Sequence, residues 1–331
     1  MDIRVSHPTH LGVLDLVPRL NGVSAEHALQ QAVTLAQHAE EWGYLRYWTS
    51  EHHDMEELAS ASPEVLLAHV GARTSSIRLG SGAVLLPHYS ALKVAESFRL
   101  LASLYPGRVE LGLGRAPGGG PHATMALSGN YLQHVSKLPD KLEALTALLE
   151  DRYTYEEHEV QARPVPEHPL SVWMLGTNVK SAEFAARFGM GYVFGQFMSE
   201  ADGTEAVRRY REGFVPSVHR TEQEVMVAVS VLCAEDEEQA RSWSRQMEER
   251  RRASRAGNSS QINSDRSTPN SDAESSERHI AGTPEQVWEQ MHRVSERLGT
   301  DQLLIVTAGP DYERRLESYK LLAEYQKRFN L

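Results

Sequence analysis

The chain has 331 residues, 40% hydrophobic and 24% charged, with a formal net charge of −11. That is apolar material for one large domain or two ordinary ones. The acidic balance excludes nucleic-acid binding as the main task, since neutralising phosphates needs a basic face. The single cysteine, Cys233, excludes an intrachain disulfide and a cysteine-based zinc site; within VMVAVSVLCA it reads as a small core residue. The start, MDIRVSHPTH, shows no charged-then-apolar leader, and no apolar run approaches a membrane span. The expected setting is the cytoplasm, with no membrane partner.

In chain order, DIRVS (2–6) reads as a strand. SAEHALQQAVTLAQHAEEWG (24–43) reads as a helix, with Ser24 as cap, Gly43 as stop, and Ala28, Val33, Ala36 and Ala39 at near-helical spacing. YLRYWTS follows as a strand with Leu45, Tyr47 and Thr49 on one face. SPEVLLAHVGART (62–74) is a helix with Pro63 in its first turn. IRLGSGAVLLP, RVELGLG, LSVWMLG, GYVFGQF, EVMVAVSVLCA and TDQLLIVTA then read as strands. Between and after them, helices are expected at ALKVAESFRLLASLYPG, LPDKLEALTALLED, VKSAEFAARFG, 201–214, TPEQVWEQMHRVSERLG (capped by Thr283) and YERRLESYKLLAEYQKRF. About eight strand–helix units without a domain break imply a parallel sheet closed into a (β/α)8 barrel over 1–331, with chemistry at the C-terminal strand ends. An open doubly wound sheet is the alternative. Residues 251–279 hold one large aliphatic residue, Ile262, and read as a disordered insertion or as a lid over the barrel mouth.

Four stretches carry possible chemistry. WTSEHHDM (48–55) sets His52 and His53 side by side. No H-E-x-x-H spacing accompanies them, and strand alternation turns neighbours apart, so no metal site is expected. One of them facing the barrel mouth as an acid/base group fits better, against two structural histidines. GLGRAPGGGPH (112–122) follows a strand, but its glycine spacing is not the dinucleotide fingerprint and no GK[ST] follows. What remains is a loop carrying Arg115, either a phosphate or ring contact or a surface turn. LGTNVKSAEFAA (175–186) puts Thr177, Asn178 and Ser181 at a helix start, an anion site or an ordinary cap. GSGAVLLP (80–87) offers Gly80, Ser81, Gly82 and Ala83, small enough for a flat ring to lie against the backbone. Trp48, Trp173, Phe194 and Phe197 lie near strand ends and suit either a planar ligand or core packing.

Together these segments resemble the bacterial luciferase-like flavin monooxygenases. The carriers are VLDLVP (13–18), RYWTSEHHDM (46–55), the long block from 62 to 118, VWMLGTNVKSAEFAARFG (172–189) and GTPEQVWEQM (282–291). The resemblance implies a (β/α)8 barrel with an insertion near the late strands, usually a homodimer. It implies reduced FMN from a separate flavin reductase and O2 as co-substrate, oxidising a small organic molecule through a C4a-peroxyflavin, natural-product intermediates among them. By motif, His52 would be the acid/base. Gly82 and Ala83 would lie beneath the flavin ring, joined by a non-proline cis peptide. Arg115 would meet the phosphate with Thr177, Asn178 and Ser181, and Phe194 and Gly195 would touch the flavin. Asp15, Trp48 and Phe197 would shape the substrate side. Gly114 stands where the luciferases carry a reactive cysteine, which argues against a light-emitting reaction. A deazaflavin-dependent dehydrogenase or reductase on the same barrel, and a non-catalytic flavin carrier, are the alternatives.

Overall fold

The computed structural model describes residues 10–257, 278–307 and 309–328. Eight strands carry the architecture: β1 (His10–Asp15), β2 (Arg46–Thr49), β3 (Arg78–Ser81), β4 (Val109–Gly114), β5 (Ser171–Gly176), β6 (Gly191–Gly195), β7 (Val225–Cys233) and β8 (Gln302–Val306). Each pairs in parallel with its neighbour in chain order, and β8 pairs with β1, so the sheet closes on itself. Closure removes the free edges that an open sheet would leave. The doubly wound alternative is thereby excluded.

Helices α1 (Ala25–Trp42), α2 (Pro63–Gly71), α3 (Ala91–Leu104), α4 (Leu138–Leu149), α5 (Val179–Arg187), α6 (Thr204–Gly213), α7 (Pro284–Leu298) and α8 (Tyr312–Lys327) return the chain between strands or, for α8, close the series. Their ends obey local chemistry. Ser24 caps α1, which stops at left-handed Gly43, and α7 opens on a capping box between Thr283 and Gln286. Strand alternation then divides the core. One side of each strand packs outward under the helices, in a cluster that includes Val13, Tyr47, Leu79, Leu111 and Phe194. The other side fills the barrel with Leu14, Trp48, Trp173, Val193, Met226, Ala228, Leu304 and Val306.

Several expected elements shift. DIRVS lies outside the described residues, and the first barrel strand is HLGVLD. The expected strand over 77–87 is broken: β3 ends at Ser81, the Gly82–Ala83 peptide is cis, and a two-residue strand, Val84–Leu85, pairs with β4 before a 3-10 turn over Leu86–His88. Ser81 spans the break. Its hydroxyl donates to Gly112 O at 2.8 Å and accepts from Gly112 N at 3.0 Å, replacing ladder bonds that the interrupted backbone does not make. Helices Pro121–Ser128 and Tyr131–Ser136 follow β4 where the sequence reading had only a loop. Residues 251–257 complete a helix beginning at Glu237, in which Ala240, Trp243 and Met247 meet Leu232, Ala234 and Ala281. His279 opens a short strand, His279–Gly282, alongside β7. The rest of the proposed lid, 258–277, lies outside the described residues. Among the described residues no helix is long and apolar enough to cross a membrane.

Candidate active site

The C-terminal strand ends gather most of the expected site. Arg115 leaves the end of β4 and reaches across to the start of α5. Its Nε donates to Ser181 Oγ at 3.0 Å and its Nη2 to Asn178 Oδ1 at 2.9 Å. Asn178 is the N-cap of α5 and its side chain accepts from Ser181 N. A guanidinium, an amide, a hydroxyl and a helix N-terminus thus converge from segments more than sixty residues apart, a donor set suited to an anion such as a phosphate. Thr177 sits beside them, half-buried, with its methyl 3.5 Å from where a Cβ on Gly195 would stand.

The Gly82–Ala83 peptide lies against the end of β4, one residue before Arg115. Ala83 Cβ is 3.1 Å from where a Cβ on Gly114 would stand, and Arg115 follows directly. The small residues of this stretch have a second cause, however. A Cβ on Gly80 would fall 2.2 Å from Trp48 Nε1, and one on Gly82 would fall 2.4 Å from Leu14 Cδ1. Gly80 and Gly82 are small because Trp48 and Leu14 occupy the barrel beneath them.

Trp48 is itself fully buried, donates to Glu110 Oε2 at 2.7 Å, and meets Trp173 edge-on at 6.2 Å. Trp173 lies under the Arg220 guanidinium, 4.3 Å from its ring centre. Both tryptophans are barrel filling, so Trp48 supports the floor and does not line a substrate space. Phe194 is fully buried on the helix side of β6, against Gly203, so only its backbone reaches the strand end. Asp15 is also corrected. It points outward, fully buried, and accepts from Arg315 Nη2 at 2.6 Å, Tyr47 OH at 2.8 Å and Val17 N at 2.7 Å. Those donors commit the Asp15 carboxylate to the outer layer, away from the barrel mouth where it was expected. Phe197, half-buried against the barrel interior with Leu16 and Leu175, is the one of the four aromatics placed at the rim.

The two histidines separate. His52 is half-buried, with Nδ1 3.0 Å from Ser50 Oγ and its backbone N donating to Ser60 O at 2.9 Å. Among the described residues its Nε2 makes no hydrogen bond, which leaves that nitrogen open to a ligand. Burial, with His53 alongside, lowers its pKa below the ordinary histidine value and favours the neutral ring. His53 instead places Nε2 2.8 Å from Glu51 Oε1. Sequence reasoning missed Glu51, Tyr89, His88 and Tyr131. Tyr89 OH donates to Glu51 Oε1 at 2.7 Å, and burial and the Glu51 charge push the Tyr89 hydroxyl far above its usual range. His88 stacks on Tyr131 with ring centres 5.2 Å apart and places Nε2 2.9 Å from Pro117 O. No spacing rule links positions 51 and 89; only the Glu51 carboxylate at the end of an apolar strand carried a signal. Among the described residues no group of three or more His, Cys, Asp or Glu side chains could hold a metal ion.

The family profile for luciferase-like monooxygenases matches residues 9–302. The chain belongs to the luciferase-like monooxygenase family. It is similar to the uncharacterised protein YwcH of Bacillus subtilis, 41% identical over 95% of this chain and 98% of the relative. It is also similar to the N-acetyl-S-alkylcysteine monooxygenase of Bacillus subtilis, at 34% over 95% of this chain and 97% of the relative. Among solved structures, apo-MsnO8 superposes with a TM-score of 0.83 at 32% identity, covering 97% of this chain and 98% of that one. The family membership makes the chain an oxidoreductase.

Proposed function

We propose that this chain is a monooxygenase that binds reduced FMN and uses O2 to oxidise a small organic substrate. The observation that carries the reading is the meeting of Arg115, Asn178 and Ser181 at a helix N-terminus beside the cis Gly82–Ala83 peptide. The anion cluster suits the FMN phosphate, and the flat peptide surface suits its ring. Thr177 and Gly195 would flank the ribityl-phosphate side. His52, neutral and with Nε2 open, would hold or move a proton at the reacting edge. When bound, the reduced flavin supplies the electrons that activate oxygen; the chain binds it, orients it and excludes water. A separate reductase would supply the reduced flavin. A second copy would cover the exposed Val65 of α2 and Leu100 and Leu104 of α3, making a homodimer.

The N-acetyl-S-alkylcysteines in the name of the 34% relative are the first substrates to try. The test is anaerobic titration with reduced FMN, followed by 18O2. Micromolar binding and one heavy oxygen atom in the product of an accepted substrate support the reading. It fails if neither FMN nor reduced FMN binds at micromolar concentration, or if a reduced deazaflavin binds and passes hydride with no oxygen consumed.

A further inference from the structure

Glu51 is 3% exposed, yet none of its three polar contacts within hydrogen-bond distance is to an arginine or lysine. Oε1 faces His53 Nε2 at 2.8 Å and accepts from Tyr89 OH at 2.7 Å, while Oε2 accepts from Leu85 N at 3.0 Å. These partners belong to different segments. His53 continues β2, and its N donates to Gly118 O at 2.8 Å in the glycine-rich loop after β4. Leu85 and Tyr89 lie in the segment that follows the cis peptide and re-pairs with β4. The far end of that segment is gripped from α4, where Lys141 Nζ donates to Pro87 O at 2.6 Å and Tyr89 O at 2.8 Å. A buried carboxylate is costly unless its lone pairs are filled. Here they are filled by the pieces that frame one half of the site. The Arg115 anion cluster, at the first residue after β4 and the start of α5, contains none of Glu51's direct partners; the nearest link is His53 N to Gly118 O, three residues beyond Arg115.

We infer that Glu51 is a positioning residue: its buried carboxylate fastens the loops after β2 and β3 to each other, and through His53 to the loop after β4, so that the Gly82–Ala83 surface is held ready for the flavin ring. The inference rests on the flavin reading above. It predicts that the two ends of the cofactor are held independently: the ring by the assembly that Glu51 fastens, the phosphate by Arg115, Asn178 and Ser181.

Glu51→Gln keeps the size of the side chain but removes its charge and replaces one acceptor oxygen by an NH2 donor, so that either Leu85 N–H loses its acceptor or His53 and Tyr89 have to turn from donors into acceptors. The experiment compares reduced FMN, reduced riboflavin (which lacks the phosphate) and inorganic phosphate as a competitor, all anaerobically on the full chain. In Glu51→Gln, reduced riboflavin and reduced FMN are expected to weaken by the same factor, at least about tenfold. The inhibition constant of phosphate and the melting temperature stay close to wild type. Should Glu51→Gln fail to fold, Tyr89→Phe removes a single bond and is expected to weaken riboflavin a few-fold with phosphate competition unchanged. Unchanged riboflavin binding in these variants overturns the inference. So does a parallel loss of riboflavin binding, phosphate binding and melting temperature, which marks a merely structural role. A wild-type chain that binds no reduced flavin overturns the flavin reading and this inference together, whereas a binding wild type with an indifferent variant overturns this inference alone.

Discussion

Arg115 reaches two acceptors at the start of α5, Asn178 Oδ1 and Ser181 Oγ, and a bound phosphate would take up the guanidinium donors that remain. Arg115→Ala should weaken reduced FMN about 10- to 100-fold, the range for lost hydrogen bonds to a charged group. Reduced riboflavin should be unaffected, as anaerobic fluorescence titration will show; an equal loss for both ligands would place Arg115 elsewhere. The arginine and its partners were readable as types, an arginine after a strand and hydroxyl and amide groups at a helix start. Their union was legible only through the family resemblance and not from spacing, because 63 residues separate Arg115 from Asn178. Histidines give a second residue-scale prediction. Burial is the largest cause lowering the pKa of His52, His88 and His219 from the ordinary value of 6.5. The unfolded chain therefore takes up protons first, and stability present above about pH 6.5 is lost as pH falls through the lowered values. Urea midpoints measured from about pH 8 downward should fall over that interval; a flat profile would contradict it.

Strand ends and the turns after them show why elements were easier to find than to delimit. The run from 77 to 87 is apolar and small-residue-rich enough to read as one strand, and nothing local marks the break after Ser81. The break coincides with two contacts from other strands: the Trp48 indole of β2 fills the space beneath Gly80, and the Ser81 hydroxyl bonds both the N–H and the carbonyl of Gly112. Gly112 is fixed by the same contacts. A Cβ there would stand 2.0 Å from Ser81 O and 3.0 Å from Trp48 Cζ3. Gly112→Ala should destabilise the chain by about 2–3 kcal/mol through overpacking against backbone that cannot yield. Chemical denaturation with an unchanged midpoint would refute this. The helix from Glu237 to Gly257 was missed for the opposite reason. Its charged surface hid a narrow stripe, Ala240, Trp243 and Met247, and that stripe has meaning only against Leu232, Ala234 and Ala281.

Across the whole molecule, Asp15 shows how closure reassigns a residue. It stands at the end of β1, where barrel chemistry is expected, yet it turns outward to meet Arg315 of α8 and Tyr47 of β2. The first strand and the last helix are locked by a fully buried pair, next to the seam where β8 meets β1. Asp15→Ala leaves the Arg315 charge buried without its carboxylate, and should cost about 3–5 kcal/mol. Flavin binding by the folded fraction should stay unchanged; a selective loss of binding at full stability would return Asp15 to the site. The sequence by itself determined the alternating strand–helix order, the parallel sheet such an order implies, the helix caps, and the residue types at the strand ends, because periodicity and capping are local chemistry; the pairing of β8 with β1 decided that the sheet closes. Only the tertiary structure decided which side of each strand faces the barrel. That choice turned Asp15 and Phe194 outward and made Trp48 the support beneath the site. It also paired His53 with Glu51 while leaving Nε2 of His52 open. Inside or outside is set by the register at which eight strands close, and that register is a property of the ring, not of any one strand.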